Sequence, residues 1–423
     1  VSPADDSPTP ERETPVSPTP ESQTPVSQTP VSPAAVSPTP VSPAADSPTP
    51  DCTAAPLDRP RRGPGVHHLF ASGRLDAVTA ASDTTAGPRP RRGPVRRSPR
   101  GQVALATLGT LAALPAGFAT ALRVMPPSAE RWAKAASFIP YGLVFWLPAL
   151  LLLGIAALRA WRHHSSGRLT LSVLSLVSAA GLVATVAWQA PAFIADRRPV
   201  VTASLTVISL NVARTADPDA VARAVDGADV VVFVEAAREW VLSLPPSLHR
   251  ALPYQAPGDR DLDGGTVILS RYPLGTTQVL PDSSFHQRSV VVETPQVGPL
   301  RVVGVHPCNP YCPAGLWVKE AADLRDWLAA RDRSVDTVVA GDFNAVDDHL
   351  TMRALYDDGW RSAANLAGVG FVRTWPANRR IPPMIGIDHV LVDGRLTATA
   401  FSTFEVPGTD HLGVRAVIAG TGG

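Results

Sequence analysis

The C-terminal half of the chain repeatedly places a polar side chain where a run of β-branched residues begins or ends. Asn211 follows TVISL, Glu235 follows DVVVFV, His306 follows RVVGV, and Asp342 and Asn344 follow TVVAG. Asp388 and His389 come directly after MIGI, and Asp410 and His411 directly before LGVRAVI. Strand ends from neighbouring strands open together onto one edge of a sheet, where ligands of α/β sheets bind. Carboxylates, amides and imidazoles collected on such an edge make a hard-cation site with a general base beside it. Carboxylate oxygens suit Mg²⁺ or Mn²⁺, a carboxylate can take a proton from water, and an imidazolium can donate to an anion.

Other polar residues read more plainly. His389 points away from Asp388 by strand alternation and is expected to be structural. His286 and His349 are expected at the surface, and Arg271 and Tyr272 as positional residues, with Arg271 pairing to an acid. Trp375 fits a substrate groove or a core equally well. Asp347 and Asp348 suit the N-cap of a helix better than metal ligation.

The elements that must position these residues follow from the pattern after residue 200. LTVISLNV, DVVVFVEA, GTVILSRYPL, LRVVGVHP, DTVVAGDFN, GIDHVLVDG and FSTFEVPG read as strands bounded by turn residues. The stretches 218–226 and 315–330 read as helices. Residues 200–423 thus form an α/β domain large enough for its own core.

Seven motifs in this domain, taken in order, resemble the endonuclease/exonuclease/phosphatase superfamily. They are LNV with Asn211, VEA with Glu235, SRYPL at 270–274, VHP with His306, GDFN at 341–344, IDHVL at 387–391 and TDHLGV at 409–414. The resemblance implies a DNase I-like four-layer α/β sandwich, two mixed sheets flanked by helices, and metal-dependent phosphoester hydrolysis. By the same resemblance Glu235 would be the main Mg²⁺ (or Mn²⁺) ligand, with Asp410 near the metal and Asn211 placing ligand and phosphate. Asp342 would orient or deprotonate the attacking water, and Asn344 would hold phosphate or nucleophile. His411 would donate to a phosphate oxygen, with Asp388 fixing its tautomer, and His306 would contact phosphate.

Three apolar runs, 103–122, 138–158 and 169–191, precede this domain. Each is about the 20 residues that cross roughly 30 Å of hydrocarbon, so residues 101–195 are expected to hold three transmembrane helices. Arg89, Arg91, Arg92, Arg96, Arg97 and Arg100 flank the first run, and the loop WRHHSSGR between the second and third is basic too. The loop after the first run holds only Arg123, Arg131 and Lys134. The Lys/Arg bias therefore places the N-terminus in the cytoplasm and, after three spans, the C-terminal domain outside the cell, with Arg197 and Arg198 a mild counter-signal. Cys308 and Cys312, in CNPYC, could pair in an oxidising compartment, with zinc as the competing reading. Residues 1–100 begin with repeated Val-Ser-Pro and Thr-Pro units and end Arg-rich, which predicts a disordered, polyproline-II-rich cytoplasmic tail.

A formal net charge of +1, taken as a whole, speaks against a basic nucleic-acid binder, but it averages unlike blocks. Residues 200–423 carry nineteen Lys and Arg against twenty-five Asp and Glu, a net of −6, with Lys319 their one lysine. Nucleic-acid affinity draws heavily on Lys and Arg neutralising phosphates, so DNA is the less favoured substrate. A short tether at 192–202 holds the domain near the bilayer. Together these favour a lipid-linked phosphate, phosphodiester or pyrophosphate of the envelope, with no obligate protein partner. The architecture also resembles the actinobacterial VanJ-type teicoplanin-resistance membrane proteins, which would imply action on a lipid carrier of cell-wall synthesis.

Overall fold

The computed structural model describes residues 100–126, 130–258, 262, 265–313 and 315–422. The tail predicted over 1–100 lies outside the described residues except for Arg100. Three long helices come first: α1 (Arg100–Val124), then, after the short α2 (Glu130–Ala136), α3 (Gly142–Arg162) and α4 (Arg168–Gln189). All three are long and apolar enough to cross a membrane. Small residues let them approach closely. A Cβ on Gly109 of α1 would lie 2.7 Å from Leu153 Cγ of α3, and one on Gly181 of α4 would strike the Trp146 ring of α3. Hydroxyls inside the bundle are satisfied locally: Thr120, Ser172, Ser175, Ser178 and Thr185 each donate to the carbonyl four residues back. The outward faces are apolar, with Leu176 and Val183 about two-thirds exposed. In water such faces would be an aggregation hazard; in hydrocarbon they are at home.

Twelve strands follow among the described residues: β1 (Leu205–Asn211), β2 (Val230–Val234), β3 (Tyr254–Ala256), β4 (Val267–Ser270), β5 (Gln278–Val279), β6 (Arg288–Thr294), β7 (Gly298–Val305), β8 (Asp336–Asp342), β9 (Arg361–Ser362), β10 (Asp388–Val392), β11 (Leu396–Phe404) and β12 (Gly413–Gly420). They build two six-stranded mixed sheets, β11-β12-β1-β2-β4-β3 and β5-β6-β7-β8-β10-β9. The inner faces pack against each other through Val207, Val230, Val232, Val302, Val338, Val390 and Ala416 among others. On the outer face of the first sheet, Ile208, Leu210, Val231 and Phe233 meet α5 (Pro218–Ala224), α6 (Arg238–Leu242) and α7 (Pro246–Ala251). On the second, Val303, Val305, Val339 and Leu391 meet α8 (Leu316–Ala330) and α9 (Leu350–Asp357). The order is helices, sheet, sheet, helices, as the motifs imply.

The two sheets repeat one plan. Each has a central parallel pair, β1 with β2 and β7 with β8, and an antiparallel neighbour running back beside it, β12 and β10. Register sets what faces what at the open edge. Asn211 is level with Val234, so Glu235 stands one residue beyond; Val305 is level with Gly341, so His306 stands beside Asp342. Asp388 is paired directly with Asp342 across β10 and β8. A Cβ on Gly341 would overlap the Val305 carbonyl oxygen, so the glycine of GDFN is what lets β7 and β8 approach at this level.

The structure differs from the sequence expectations in several places. FSTFEVPG is strand only in its first half, because β11 starts earlier and ends at Phe404; β3, β5, β6 and β9 were not among the expected strands, and β12 is the LGVRAVI run that Asp410 and His411 precede. His349 is buried, not surface-exposed: its ring packs edge-on against Trp317 and contacts the Ala133 carbonyl of α2. Asp347 and Asp348 do not cap α9, whose N-cap is His349 without a side-chain bond. Asp348 instead pairs with Arg123 at 3.0 Å and accepts from Gln189, and Asp347 accepts from Tyr356. Asp348 thus joins the helical bundle to the domain, while Asp347 stays within the domain.

Candidate active site

The strand-end residues expected to act together lie together. Asn211 occupies the centre: its Nδ2 lies 3.2 Å from Glu235 Oε1, 3.2 Å from Asp342 Oδ2 and 3.5 Å from His411 Nε2. Its own Oδ1 accepts from the Ala213 N–H, which fixes the amide orientation. His306 Nε2 lies 3.7 Å from Glu235 Oε1 and 3.8 Å from Asp342 Oδ2, with its ring stacked on Phe285 at 4.7 Å. His411 Nδ1 is 2.9 Å from Asp388 Oδ2, while Nε2 faces Asp342 at 3.7 Å and Asp410 at 3.9 Å. Asn344 donates its backbone N–H to Asp342 Oδ1 and its Nδ2 to the Pro307 carbonyl.

Local backbone conformation aims two of these groups. Glu235 (φ 55°) and Asn344 (φ 49°) both sit in the left-handed region, a conformation costly for a non-glycine residue and concentrated at functional sites. Each turns the chain sharply out of its strand, so the side chain is presented at the edge instead of continuing the pleat.

Burial divides the carboxylates into two kinds. Asp342 and Asp388 are almost wholly buried, whereas Glu235 and Asp410 each leave about a third of the side chain exposed. Burial, and then the facing Asp388 carboxylate, push Asp342 up to about 6. Burial disfavours charge on His411 as well, but the carboxylates of Asp388, Asp342 and Asp410 outweigh it and raise the imidazole to about 10. Asp342 is therefore poised to accept a proton near neutrality, and His411 holds its charge there. One Asp388 oxygen is a buried acceptor without a partner, while the other holds His411.

Asp342, Asp388 and His411 place ligand atoms within 4.8 Å of one another, which would suffice to hold a metal ion. The donor chemistry favours a neighbouring position. The Asp388–His411 pair is already closed by its hydrogen bond, whereas the part-exposed oxygens of Glu235 and Asp410 are hard donors beside the cluster that leave room for retained waters, as Mg²⁺ requires. The residues present fit such an ion.

Four further residues support the cluster, and of these the sequence singles out Trp375 alone, as groove or core. Trp375 Nε1 donates to Asp410 Oδ2 at 3.0 Å. Thr409 Oγ1 donates to the Asn211 carbonyl and accepts from the His411 N–H, tying β1 to the TDH turn. Thr374 Oγ1 accepts from the N–H of Ile387 and of Asp388, and Phe285 stacks on His306. All four act through partners far away in sequence, and none lies at a strand end. His389 is structural as expected, with Nε2 2.8 Å from the Ala345 carbonyl, and Arg271 pairs with Asp229. Cys308 and Cys312 form a disulfide in the loop just after His306.

Residues 208–411 match the model of the Endonuclease/Exonuclease/phosphatase family. No curated protein sequence matches the chain. Similar solved structures include an endonuclease/exonuclease/phosphatase from Beutenbergia cavernae DSM 12333, at 21% identity over 53% of this chain and 72% of that one (TM-score 0.41). D. rerio TDP2 complexed with single strand DNA product is 16% identical over 51% and 98% (TM-score 0.41). A mutant of beta toxin from Staphylococcus aureus with bound magnesium ions is 16% identical over 50% and 99% (TM-score 0.39).

Proposed function

Because this chain belongs to the endonuclease/exonuclease/phosphatase family through residues 208–411, whose members hydrolyse phosphoester bonds, we propose that it is a membrane-anchored, Mg²⁺-dependent phosphohydrolase acting on a lipid-linked phosphate, phosphodiester or pyrophosphate. The observation that carries the lipid assignment is how the domain is fastened. It is bolted to one end of the helical bundle. Arg123 at the end of α1 pairs with Asp348, and Arg353 donates to the Arg123 carbonyl. Tyr141 donates to the Met384 carbonyl at 2.6 Å, and Lys134 Nζ sits 3.6 Å over the Tyr311 ring. The last two contacts hold the loops that run from His306 and into Asp388, so the site is kept at the bundle end. The tether is packed too: Arg198 pairs with Asp196 and donates to the Gly394 and Leu396 carbonyls.

The residues divide the work. Asp342, its oxygens held by Asn344 N–H and Asn211 Nδ2, accepts a proton from water as the new P–O bond forms and the bond to the leaving oxygen breaks. His411, kept cationic and correctly oriented by Asp388, donates to the phosphoryl oxygen that gains charge. His306 and Asn344 contact the phosphate from the second sheet, and Asn211 holds Glu235 and Asp342 in mutual register. Glu235 and Asp410 would hold the metal ion, which supplies Lewis-acid stabilisation of the phosphoryl oxygens.

Orientation belongs to the same proposal. The bundle end remote from the domain carries Arg100, Arg159, Arg162 and Arg168, the mark of a cytoplasmic face, and the disulfide fits an oxidising exterior. Alkaline phosphatase fused after Gly423 should then be active in cells; activity of a cytoplasm-only reporter there would reverse the assignment. For the substrate, the purified full chain in nanodiscs with Mg²⁺ should hydrolyse a polyprenyl diphosphate and lose that activity with EDTA or in Asp342→Ala. Rapid Asp342-dependent cleavage of duplex DNA, with the lipid untouched, would make it a surface nuclease instead.

A further inference from the structure

Where the bundle meets the domain there is a cavity of about 330 Å³, within the roughly 300–1,000 Å³ typical of small-molecule sites. Leu143 and Val144, from the first turn of α3, form part of its wall, and Phe371, Val372 and Ile385, from the stretch that leads into β10, form another part. Two features bear on what fills it. First, Val144 is well exposed and belongs to a helix whose outward side chains are suited to hydrocarbon, so a chain can pass from the bilayer into the cavity without leaving apolar surroundings. Filling such walls with methylenes is favourable, and filling them with water is not. Second, the lining includes Asp388, whose carboxylate holds His411 Nδ1 at 2.9 Å. The cavity and the proton-donating imidazole thus share a residue. Arg373, exposed on the same wall with its guanidinium over the Tyr141 ring, supplies a cation for an anionic headgroup.

We infer that this cavity seats the hydrocarbon chain of the substrate, so that the substrate is a long-chain lipid phosphate or diphosphate presented from the bilayer to the Asp342–His411 cluster. The inference rests on the phosphohydrolase reading, but part of its test needs no turnover. The probe is a lipid diphosphate carrying a diazirine midway along its chain, photolysed with the full chain in nanodiscs, and adducts are mapped by mass spectrometry. Adducts should fall at 143–144 and 371–385, persist in Asp342→Ala and disappear in Val144→Trp. Adducts confined to outward helix positions such as Leu176 and Val183 would overturn the inference. Equal labelling of the cavity by a diazirine phosphatidylcholine would overturn it too, since the site would then take any bilayer lipid. In kinetics, Val144→Trp and Ile385→Trp should lower the ratio of kcat/KM for a long-chain over a short-chain diphosphate at least tenfold. The outward-facing Val183→Trp should keep the wild-type ratio, and an unchanged ratio in the cavity variants would refute the assignment. Failure of the phosphohydrolase reading looks different: the wild-type protein would cleave neither diphosphate, and the adduct map would still decide the cavity.

Discussion

At the scale of single residues, the site works by giving like groups unlike surroundings. Asp342 and Asp388 face each other across two strands. Asp388 holds His411 Nδ1, while burial, and then the facing Asp388 carboxylate, push Asp342 up to about 6, where it is suited to act as a base. Asp342→Asn keeps the shape and removes the base. It should lower kcat by roughly 10²–10⁴-fold, the usual worth of general-base catalysis, with KM little changed, as steady-state kinetics would show. In the metal-free protein, NMR titration of the His411 ring should find its midpoint near 10. In Asp388→Asn that midpoint should fall, because the largest charge favouring the imidazolium is gone, and the Asp342 midpoint should fall with it. An unmoved His411 midpoint would show that Asp388 does not hold the charge. All seven of Asn211, Glu235, His306, Asp342, Asp388, Asp410 and His411 were legible in the sequence because each sits where a β-branched run starts or stops. Trp375 and Thr409 were not, since an indole or hydroxyl in a loop gives no sign of which distant carboxylate or carbonyl it will meet.

At the scale of elements, strand ends were easier to read than strand pairings. β1, β2, β7, β8 and β10 follow from their hydrophobic runs, whereas β6 opens on Arg288 and β12 carries Arg415 inside its run. Both side chains are spent on backbone carbonyls, Thr266 for Arg288 and Ala224 for Arg415, partners that only the fold brings near. His349 is the clearest misreading, and its burial has a measurable consequence. Its Nδ1 accepts from the Val346 N–H, so the neutral ring donates from Nε2 to the Ala133 carbonyl of α2. Burial depresses it to about 4, against about 6.5 in an unfolded chain. Between those values the unfolded chain binds the proton and the folded one does not. The stability His349 confers is therefore complete above about pH 6.5 and is lost as pH falls toward 4, by up to about 3 kcal/mol. Thermal unfolding followed from pH 7 to 4 should show this loss, and His349→Gln should flatten that part of the profile; an equally steep profile in the variant would assign the loss to other groups.

At the scale of the whole molecule, the formal charge of +1 says little and its distribution says much. Among the described residues Arg100, Arg159, Arg162 and Arg168 lie at the bundle end remote from the domain, and the acidic surplus lies in residues 200–423, which carry the site. The sequence made three long apolar helices and an α/β domain legible, because both depend on local hydrophobic pattern. It did not make legible that the two are locked together. Arg123 and Lys134 read as loop residues, Tyr141 as part of the second apolar run and Asp348 as a helix cap until the fold pairs them with Asp348, Tyr311, Met384 and Arg123 respectively.

On the proposed lipid reading, the locked junction between bundle and domain also sets how substrate is met. A site held at fixed height above a bilayer would sample molecules in a plane, encountering them according to how crowded they are within it. Its rate should follow surface dilution: adding inert phospholipid at constant bulk substrate should slow hydrolysis in proportion to the fall in substrate mole fraction, while diluting the whole vesicle suspension should leave the turnover per enzyme unchanged. Measuring both series in proteoliposomes checks this, and dependence on bulk concentration alone would mean that the site draws its substrate from solution.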